Sequence, residues 1–424
     1  MAKTTRRDFI KSSAAAVMLP LFERQAKGVT VVEALRDALV ADNKILVIVE
    51  LAGGNDPLNT IVPLQQYDIY KSFRSRLAIA KEQVLPLYGS TTMGLSPLFS
   101  AVKPIADAGK FAVVQSAHYP NPNLSHDGSR TIYRLADTAT TVTSQAGWIG
   151  RHAALFGNRA NPLDLVGVGG VNSVLAAPGA KVSGINADTQ GNVSGYAFNT
   201  DPRFTGDRNN QLAAMRALLE TTSSKPYVQL TRTVETDALD SADSVAQAVS
   251  AYRSSVTYPA TNFAGGLKLI AKLAASSAPN LGARVYYISQ GGYDTHANQK
   301  TDHPTLLKTL GEGLKAFYDD LIAQGIFDRT LVLLWSEFGR RVADNASDGT
   351  DHGAANNFYL FGGKVKGGVY GPDPNLTDLQ SGNLKHALDF RDVYTTVMQD
   401  WFGNSGSEAA QVLRGNFNRL GFLS

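Results

Sequence analysis

Four short apolar runs, each followed by a cluster of Gly, Ser, Asp, Glu or His, place the strongest constraint on the fold of this chain. They are residues 44–51 (KILVIVEL), 110–116 (KFAVVQS), 284–289 (RVYYIS) and 330–335 (TLVLLW). Nearly continuous apolar runs of this length are typical of strands that are buried on both faces of a parallel sheet. We therefore expect all four to be adjacent strands of one mostly parallel sheet in a main α/β/α domain.

The domain organisation is bounded by length and composition. A chain of 424 residues holds two or three average domains, or one large α/β domain with insertions. Residues 160–282 are richer than the rest in Gly, Ala, Ser, Asn and Thr. We interpret this range as an insertion or cap within an α/β domain that extends over residues 29–424. Apolar residues at helical spacing predict long helices near 303–324 and 390–402.

Charge and cysteine content exclude several classes of protein. The net charge is only +3 and the basic residues form no stripe interleaved with aromatics, so no nucleic-acid partner is expected. No apolar run reaches the roughly 18 residues of a membrane span, so no transmembrane helix is expected in the mature chain. Because the chain has no cysteine, any metal must bind through His, Asp, Glu, hydroxyl or backbone oxygen atoms.

The polar clusters contain residue types that bind metal ions. Asp56 follows the first run, Asp294 and His296 follow the third, Glu337 follows the fourth, and His352 precedes a further apolar run. Each alone is also explained as a turn, loop or surface residue. Parallel strands gather their ligands at their carboxyl ends, and nitrogen and oxygen ligands suit divalent ions. We expect these five side chains to converge on one cleft, with Asp294 and His352 close enough to share an ion.

The N-terminus resembles a twin-arginine export signal. Arg6 and Arg7 are followed by Phe9 and Lys11, and then by a short, mildly apolar stretch. The resemblance implies a signal peptide over residues 1–28, export in the folded state by the twin-arginine machinery, and a periplasmic or extracellular location. The alternatives are an uncleaved, membrane-tethered form, or a basic tail that precedes a helix.

Five longer motifs resemble those of an uncharacterised bacterial family of twin-arginine-exported proteins. They are LAGGNDPLNT, YPNPNLSH, GGYDTHANQ, SEFGRR and TDHGAANNFYLFGG. The resemblance covers most of the chain. At the fold level, that family is similar to the alkaline phosphatase/sulfatase superfamily. This similarity implies an alkaline-phosphatase-like, three-layer α/β/α fold with a mostly parallel central sheet and an inserted cap region.

The superfamily resemblance also implies a set of metal ligands. Its members bind one or two divalent ions beside a Ser, Thr or modified Cys nucleophile. Asp56 takes the place of the first-strand metal aspartate, Asp294 pairs with His296 or His303, and His352 takes the place of the late metal histidine. The ion implied is Zn²⁺, Mn²⁺, Mg²⁺ or Ca²⁺.

The SEFG motif departs from the superfamily pattern. Glu337 and Phe338 stand where a sulfatase-like Ser-Asp-His-Gly motif has an acid and a ligating His. Glu337 remains a candidate ligand, whereas Phe338 cannot bind a metal. We therefore expect one metal site rather than two.

Ser125 is the nearest candidate for a nucleophile, at the predicted start of a helix. It is equally well explained as an N-cap serine. We expect it to lie beside the carboxylates of Asp56 and Glu337. His126 flanks it and is counted with the catalytic residues. Arg130, Arg340 or Arg341 could stabilise charge on a phosphoryl or sulfuryl group, and Arg340 is the one counted with the catalytic residues.

These features favour an exported, metal-dependent hydrolase of phosphate or sulfate esters. The nucleophile would be a hydroxyl or a metal-bound water, and the substrate a small-molecule, polysaccharide or lipid ester. The alternative is a non-catalytic, secreted binding or assembly protein on the same fold, which the presence of Phe338 favours. An exported redox protein is a third possibility, and the absence of cysteine counts against it.

Overall fold

The computed structural model of the chain describes residues 44–139, 146–157, 163–194, 205–221, 226–276 and 284–424. The predicted signal peptide, residues 1–28, lies outside these ranges. The strands, in chain order, are β1 (Ile45–Leu51), β2 (Ile61–Pro63), β3 (Leu85–Pro86), β4 (Met93–Leu95), β5 (Phe111–His118), β6 (Leu165–Val168), β7 (Val182–Ala187), β8 (Val193–Ser194), β9 (Val285–Gln290), β10 (Thr330–Trp335), β11 (Gly339–Arg340), β12 (His352–Gly353), β13 (Asn356–Gly362), β14 (Gly368–Tyr370), β15 (Leu379–Gln380), β16 (Asn383–Leu384) and β17 (Leu388–Asp389).

The α-helices are α1 (Pro57–Thr60), α2 (Tyr67–Phe73), α3 (Lys103–Asp107), α4 (His126–Leu135), α5 (Trp148–Phe156), α6 (Thr205–Glu220), α7 (Pro226–Ala251), α8 (Asn262–Ala274), α9 (Gln299–Ala323), α10 (Phe390–Thr396) and α11 (Gly406–Leu413). Helix α10 continues as a π-helical turn, Val397–Trp401. The two long helices predicted from apolar spacing are therefore present, as α9 and as α10 with its π-helical extension.

The main sheet is mixed, with mostly parallel strands. Its order is β14-β5-β13-β10-β1-β9-β6-β7-β8, and β17 pairs with β5. Strand β1 is parallel to both of its neighbours, β9 and β10. The four predicted strands all belong to this sheet, which confirms their common membership. The prediction that all four are adjacent is wrong, because β13 lies between β5 and β10 and is antiparallel to both.

The reversed direction of β13 has a direct consequence for the site. In its register with β10, Tyr359 lies opposite Leu334 and Gly362 lies opposite Leu331. The amino end of β13 therefore lies at the same sheet edge as the carboxyl ends of β1, β9 and β10. This is why His352, which precedes a strand, reaches the same edge as Asp294, which follows one.

Strand β1 is buried on both faces, as its apolar sequence predicts. Successive side chains of a strand point in opposite directions. Val47 and Val49 pack in one cluster of buried side chains with the apolar residues of α8 and α9. Leu46 and Ile48 pack in a second cluster, with apolar residues of α5, α10 and α11. Burial of this strand on both faces holds the loop that follows it against the loops after β9 and β10.

Part of the predicted insertion belongs to the main sheet. Strands β6 and β7 fall within residues 160–282, yet β6 pairs with β9 and extends the sheet. Helix α8 packs its buried face in the same core cluster as β1. A cap role for the rest of 160–282 stays a prediction. Among the described residues, none of the helices has the length and apolar character needed to cross a membrane.

Candidate metal centre

Three potential ligands meet at the carboxyl edge of the sheet. His126 is the first residue of α4, Asp294 lies in the loop between β9 and α9, and His352 begins β12. One ligand atom from each lies within 4.8 Å of the others. His126 Nε2 is 3.3 Å from Asp294 Oδ2, and His352 Nε2 is 3.1 Å from Asp294 Oδ1. The predicted proximity of Asp294 and His352 is therefore confirmed.

Both imidazoles are held from behind through Nδ1. His352 Nδ1 lies 2.7 Å from the carbonyl oxygen of Leu124, and His126 Nδ1 lies 2.8 Å from Glu337 Oε1. A carbonyl only accepts, so Nδ1 of His352 carries a proton and the neutral ring keeps its lone pair on Nε2. Metal-binding histidines are usually oriented in this way. Within the part of the chain that the structure describes, the buried His126 Nε2 makes no hydrogen bond, and it lies 3.3 Å from Asp294 Oδ2.

Glu337 orients His126 and is not placed as a direct ligand. Its side chain is fully buried, and its Oε1 accepts from Gly53 N at 2.9 Å and from Arg130 Nη2 at 3.0 Å. Burial alone would raise the pKa of Glu337, but the hydrogen bond with His126 and the charge of Arg130 hold it below its usual value. The predicted metal-ligand role of Glu337 is therefore replaced by support of His126 from behind.

Asp294 remains ionised at the centre of the cluster. Burial would raise its pKa, but the hydrogen bond from Arg340 and the charges of Arg340 and His126 lower the pKa of Asp294 to about 2. Arg340 Nη2 lies 2.8 Å from Asp294 Oδ1. The Arg340 side chain is fully buried and donates its other hydrogen bonds to carbonyls of neighbouring loops. Arg340 therefore holds Asp294 and has no surface open to a substrate, in contrast to its predicted catalytic role.

His296 joins the cluster on its open side. Its Nε2 is 3.1 Å from Asp294 Oδ1, and its Nδ1 is 3.3 Å from Asp351 Oδ1. The ring centres of His296 and His352 are 4.5 Å apart. His296 is therefore near enough to add a ligand or to exchange a proton at this edge.

The two histidines that face Asp294 differ in their electrostatic surroundings. The pKa of His126 lies above its usual value, first because of its hydrogen bond with Glu337. The pKa of His352 lies below its usual value because of burial. A neutral His352 faces the Asp294 carboxylate with a lone pair, so these acceptor atoms need a proton or a metal ion between them. Two nitrogen ligands and one oxygen ligand are typical of a catalytic zinc site.

Phe338 closes one side of the centre. Its ring centre is 4.9 Å from that of His126 and 4.4 Å from that of His352. Gly54 has φ +80°, and a Cβ there would lie 2.4 Å from the Phe338 ring, so glycine is required for this close approach. The apolar ring therefore offers no ligand atom on this side of the cluster.

Asp56 and His303 are not part of the centre. The Asp56 carboxylate caps α1, accepting from Leu58 N at 3.1 Å, and it pairs with Arg74 and Gln299. His303 Nε2 lies 3.0 Å from Asn55 Oδ1. Burial lowers the pKa of His303 to about 4. The structure does not bring their predicted ligand atoms to the cluster, because internal partners surround Asp56 and His303 is buried against Asn55.

Ser125 is the N-cap residue of α4, with an exposed side chain that makes no capping hydrogen bond. Its expected position beside Asp56 is wrong, because the Asp56 carboxylate is enclosed by other partners. Sequence reasoning also missed Glu50, a carboxylate near the carboxyl end of the apolar β1 run. That interruption was a usable signal, since a buried strand carries an acid only when the acid is paired.

Comparison with known proteins places the chain in a family. Residues 43–414 match the model described as "Protein of unknown function (DUF1501)". The chain belongs to this family. The expected resemblance to an uncharacterised family is thereby confirmed. None of the curated proteins matches the chain in sequence.

Several solved structures are similar to this chain at low identity. One is Ps i-CgsB, at 9% identity and a TM-score of 0.38, covering 88% of this chain and 75% of that one. Another is the C-terminal periplasmic domain of EcEptC from Escherichia coli in complex with Zn, at 10% identity and a TM-score of 0.31, covering 76% and 73%. A third is the alkaline phosphatase of the Antarctic bacterium TAB5, at 10% identity and a TM-score of 0.30, covering 77% and 94%.

Proposed function

We propose that this protein is a metal-dependent hydrolase of phosphate or sulfate esters with one divalent ion, zinc in the first place, held by His126, Asp294 and His352. The observation that carries the proposal is the approach of three ligand atoms to within 4.8 Å, with both imidazoles oriented through Nδ1. Three protein ligands with one position left open are characteristic of catalytic rather than structural zinc.

The residues of the chain would divide the work as follows. Zinc supplies a Lewis acid that lowers the pKa of a water molecule and polarises an ester oxygen. Glu337 and the Leu124 carbonyl keep the two histidine rings aimed at the centre, and Arg340 keeps Asp294 ionised and in place. His296, with 43% of its side chain exposed and Asp351 beside it, would give a proton to the leaving oxygen.

The ester class and the cellular setting come from the sequence. The motifs that resemble the alkaline phosphatase/sulfatase superfamily favour a phosphate or sulfate ester of a small molecule, a polysaccharide or a lipid. The same resemblance favours the three-layer arrangement of the fold. The twin-arginine pattern near Arg6 and Arg7 favours export to the periplasm or beyond. Ser125, exposed and adjacent to His126, would be the hydroxyl nucleophile if water is not.

A second candidate function is non-catalytic metal or ligand binding by a secreted protein. It is favoured by Phe338, whose ring lies against both histidines, and by Arg340, whose guanidinium is fully buried. A catalytic site for anionic esters usually offers a cation to the developing charge. In this chain the cation nearest the cluster is committed to Asp294.

Metal content and ester turnover test the proposal together. Protein purified without chelator should contain about one equivalent of zinc, as expected for a single three-ligand site. It should hydrolyse at least one member of a panel of phosphate and sulfate esters. Asp294→Asn should lose both metal and turnover. Asp302→Asn, an exposed acid in the first turn of α9, is the control and should keep both.

The two candidate functions predict different outcomes. Stoichiometric metal without turnover of any ester would support the non-catalytic protein. Wild-type protein that binds none of Zn²⁺, Mn²⁺, Mg²⁺ or Ca²⁺ would rule out the metal-dependent hydrolase.

A further inference from the structure

A row of charged side chains lies next to His126, on the side of its ring away from the proposed metal. Helix α4 places His126, Arg130 and Arg134 four residues apart, so the three side chains lie on one helix face. That face packs against the ends of β1 and β10. Two acids meet it there: Glu50 from β1 and Glu337 from the loop after β10. Both carboxylates are fully buried.

Arg130 bridges the two buried acids. Its Nη2 donates a hydrogen bond to Glu337 Oε1 at 3.0 Å, and its Nε lies 3.0 Å from Glu50 Oε1 in an ion pair that lacks hydrogen-bond geometry. Only 23% of its side chain is exposed. The guanidinium therefore holds Glu337 by a directed, charge-assisted hydrogen bond, while its charge attracts the carboxylate of Glu50.

Glu50 is the fixed end of this row of charged side chains. Arg134 donates to it through Nε at 2.9 Å and through Nη2 at 2.8 Å, and the Tyr287 hydroxyl donates at 2.8 Å. Glu50 stands in a strand that is buried on both faces and paired on both edges. It therefore gives Arg130 an immobile partner. Arg130 in turn holds the Glu337 carboxylate on which the Nδ1 of His126 depends.

We propose that Arg130 is a positioning residue that sets the metal affinity of the centre, acting through Glu337 on the orientation and tautomer of His126. The proposal rests on the metal centre of the proposed function. Without Arg130, Glu337 would keep Gly53 N, Ser336 Oγ and His126 as partners, but its Oε1 would lose the cation that ties it to Glu50. The carboxylate could then turn, and the imidazole would no longer be held with Nε2 facing Asp294.

Zinc affinity gives the first test. The Arg130→Gln variant should bind zinc about 10- to 100-fold more weakly than wild type in competition with a chelating dye, the usual cost of losing an outer-shell partner. Arg134→Gln is the matched control. It removes a cation from the same buried Glu50, one helical turn away, without touching Glu337. It should lose stability but keep the zinc affinity of wild type, because the Tyr287 hydroxyl and the two neighbouring strands of β1 still hold Glu50.

Histidine tautomers give a second test that needs no metal. In zinc-free protein with ¹⁵N-labelled histidine, well above the usual histidine pKa, His126 should be the Nδ1–H tautomer in wild type and in Arg134→Gln. In Arg130→Gln, His126 should be a mixture of both tautomers. A purely structural role for Arg130 would lower stability without changing the tautomer. His126→Gln identifies the signal.

The outcomes separate the two proposals. Unchanged zinc affinity and an unchanged His126 tautomer in a folded Arg130→Gln protein would overturn the positioning role. If wild type binds no zinc, the proposed function fails, and the tautomer measurement alone decides the role of Arg130. If Arg130→Gln does not fold, the charge-balanced pair Arg130→Gln with Glu50→Gln replaces it. That pair should show the same mixed tautomer, and a wild-type tautomer would overturn the proposal.

Discussion

Asp56 and Asp294 occupy similar places in the chain and have opposite surroundings. Each follows a buried strand and a turn with two glycines, β1 for Asp56 and β9 for Asp294. The Asp56 side chain is fully buried and is paired with Arg74. The Asp294 side chain is 46% exposed and is surrounded by imidazoles. The same sequence pattern therefore produces a buried structural ion pair at Asp56 and a candidate metal ligand at Asp294.

The difference lies in what surrounds each carboxylate. A carboxylate has about four acceptor positions. Asp56 uses its positions on two amides of α1, on Arg74 and on Gln299, so none is left for an ion. Asp294 faces the Nε2 atoms of three imidazoles, and 46% of its side chain is exposed. A strand-end acid is therefore a metal candidate only when its neighbours leave a lone pair free.

The largest expected effect is on stability at Asp56. Asp56→Ala should lower the free energy of unfolding by about 3–5 kcal/mol, because it leaves the buried Arg74 guanidinium without its carboxylate. In zinc-free protein, Asp294→Ala should cost about 1.5–3 kcal/mol, the value of a hydrogen bond to a charged group, since Arg340 keeps its carbonyl partners. Urea unfolding measures both. Equal losses of unfolding free energy in the two variants would contradict the distinction between a structural carboxylate at Asp56 and a candidate ligand at Asp294.

Zinc should stabilise the protein through Asp294 and not through Asp56. With free zinc about 100-fold above its Kd, wild type should gain about 2.7 kcal/mol of stability. Asp56→Asn should start from a lower Tm and show the same gain. Asp294→Asn should show no gain. Thermal unfolding with and without zinc measures this. A zinc-dependent rise in the Tm of Asp294→Asn would mean that the ion binds elsewhere.

Buried histidines such as His303, which contacts Asn55 next to Asp56, should make the free energy of unfolding sensitive to acid. Burial lowers the pKa of His303 from 6.5 to about 4, so the folded state keeps it neutral where the unfolded chain takes up a proton. Stability should therefore fall as the pH drops from about 6.5 to about 4, by up to about 1.4 kcal/mol per pH unit for this group. Burial acts in the same direction on His118 and His152.

His303→Gln should reduce the pH dependence of the free energy of unfolding by the contribution of one histidine. Urea unfolding of zinc-free protein across the same pH range measures it. The variant should be less stable than wild type near neutral pH, because Asn55 Oδ1 loses one of its two side-chain partners, and the two stabilities should approach each other in acid. Parallel pH curves for the two proteins would contradict a neutral His303 in the folded state.

The smallest effect is expected at Asp351, on the exposed side of the cluster next to His296. Asp351→Asn removes the charge beside His296 Nδ1, and the Asp351 side chain is 50% exposed. Exposed ion pairs contribute about 0–1 kcal/mol, so stability should change by no more than that. Zinc affinity should fall less than in Asp294→Asn. Calorimetric titration with zinc compares the two, and a larger loss in Asp351→Asn would make His296 the principal ligand.

The sequence by itself determined the strands of the central sheet and the common location of Asp294 and His352. Strands β1, β9 and β10 are predictable because burial on both faces demands apolar residues over a short range, which is a local property. Polar residues at the ends of such strands must lie at a sheet edge. The apolar spacing of α9 was readable for the same local reason.

Only the tertiary structure decided which polar groups are partners. Arg74 reaches Asp56 from the end of α2, and Glu337 meets His126 across more than two hundred residues of sequence. The antiparallel placement of β13 also depends on long-range packing, because its apolar sequence fits either direction. The hydrogen-bond donors around a carboxylate decide whether it forms a structural ion pair or stays available to bind a metal. Those donors come from distant segments whose positions are set by how the whole core packs.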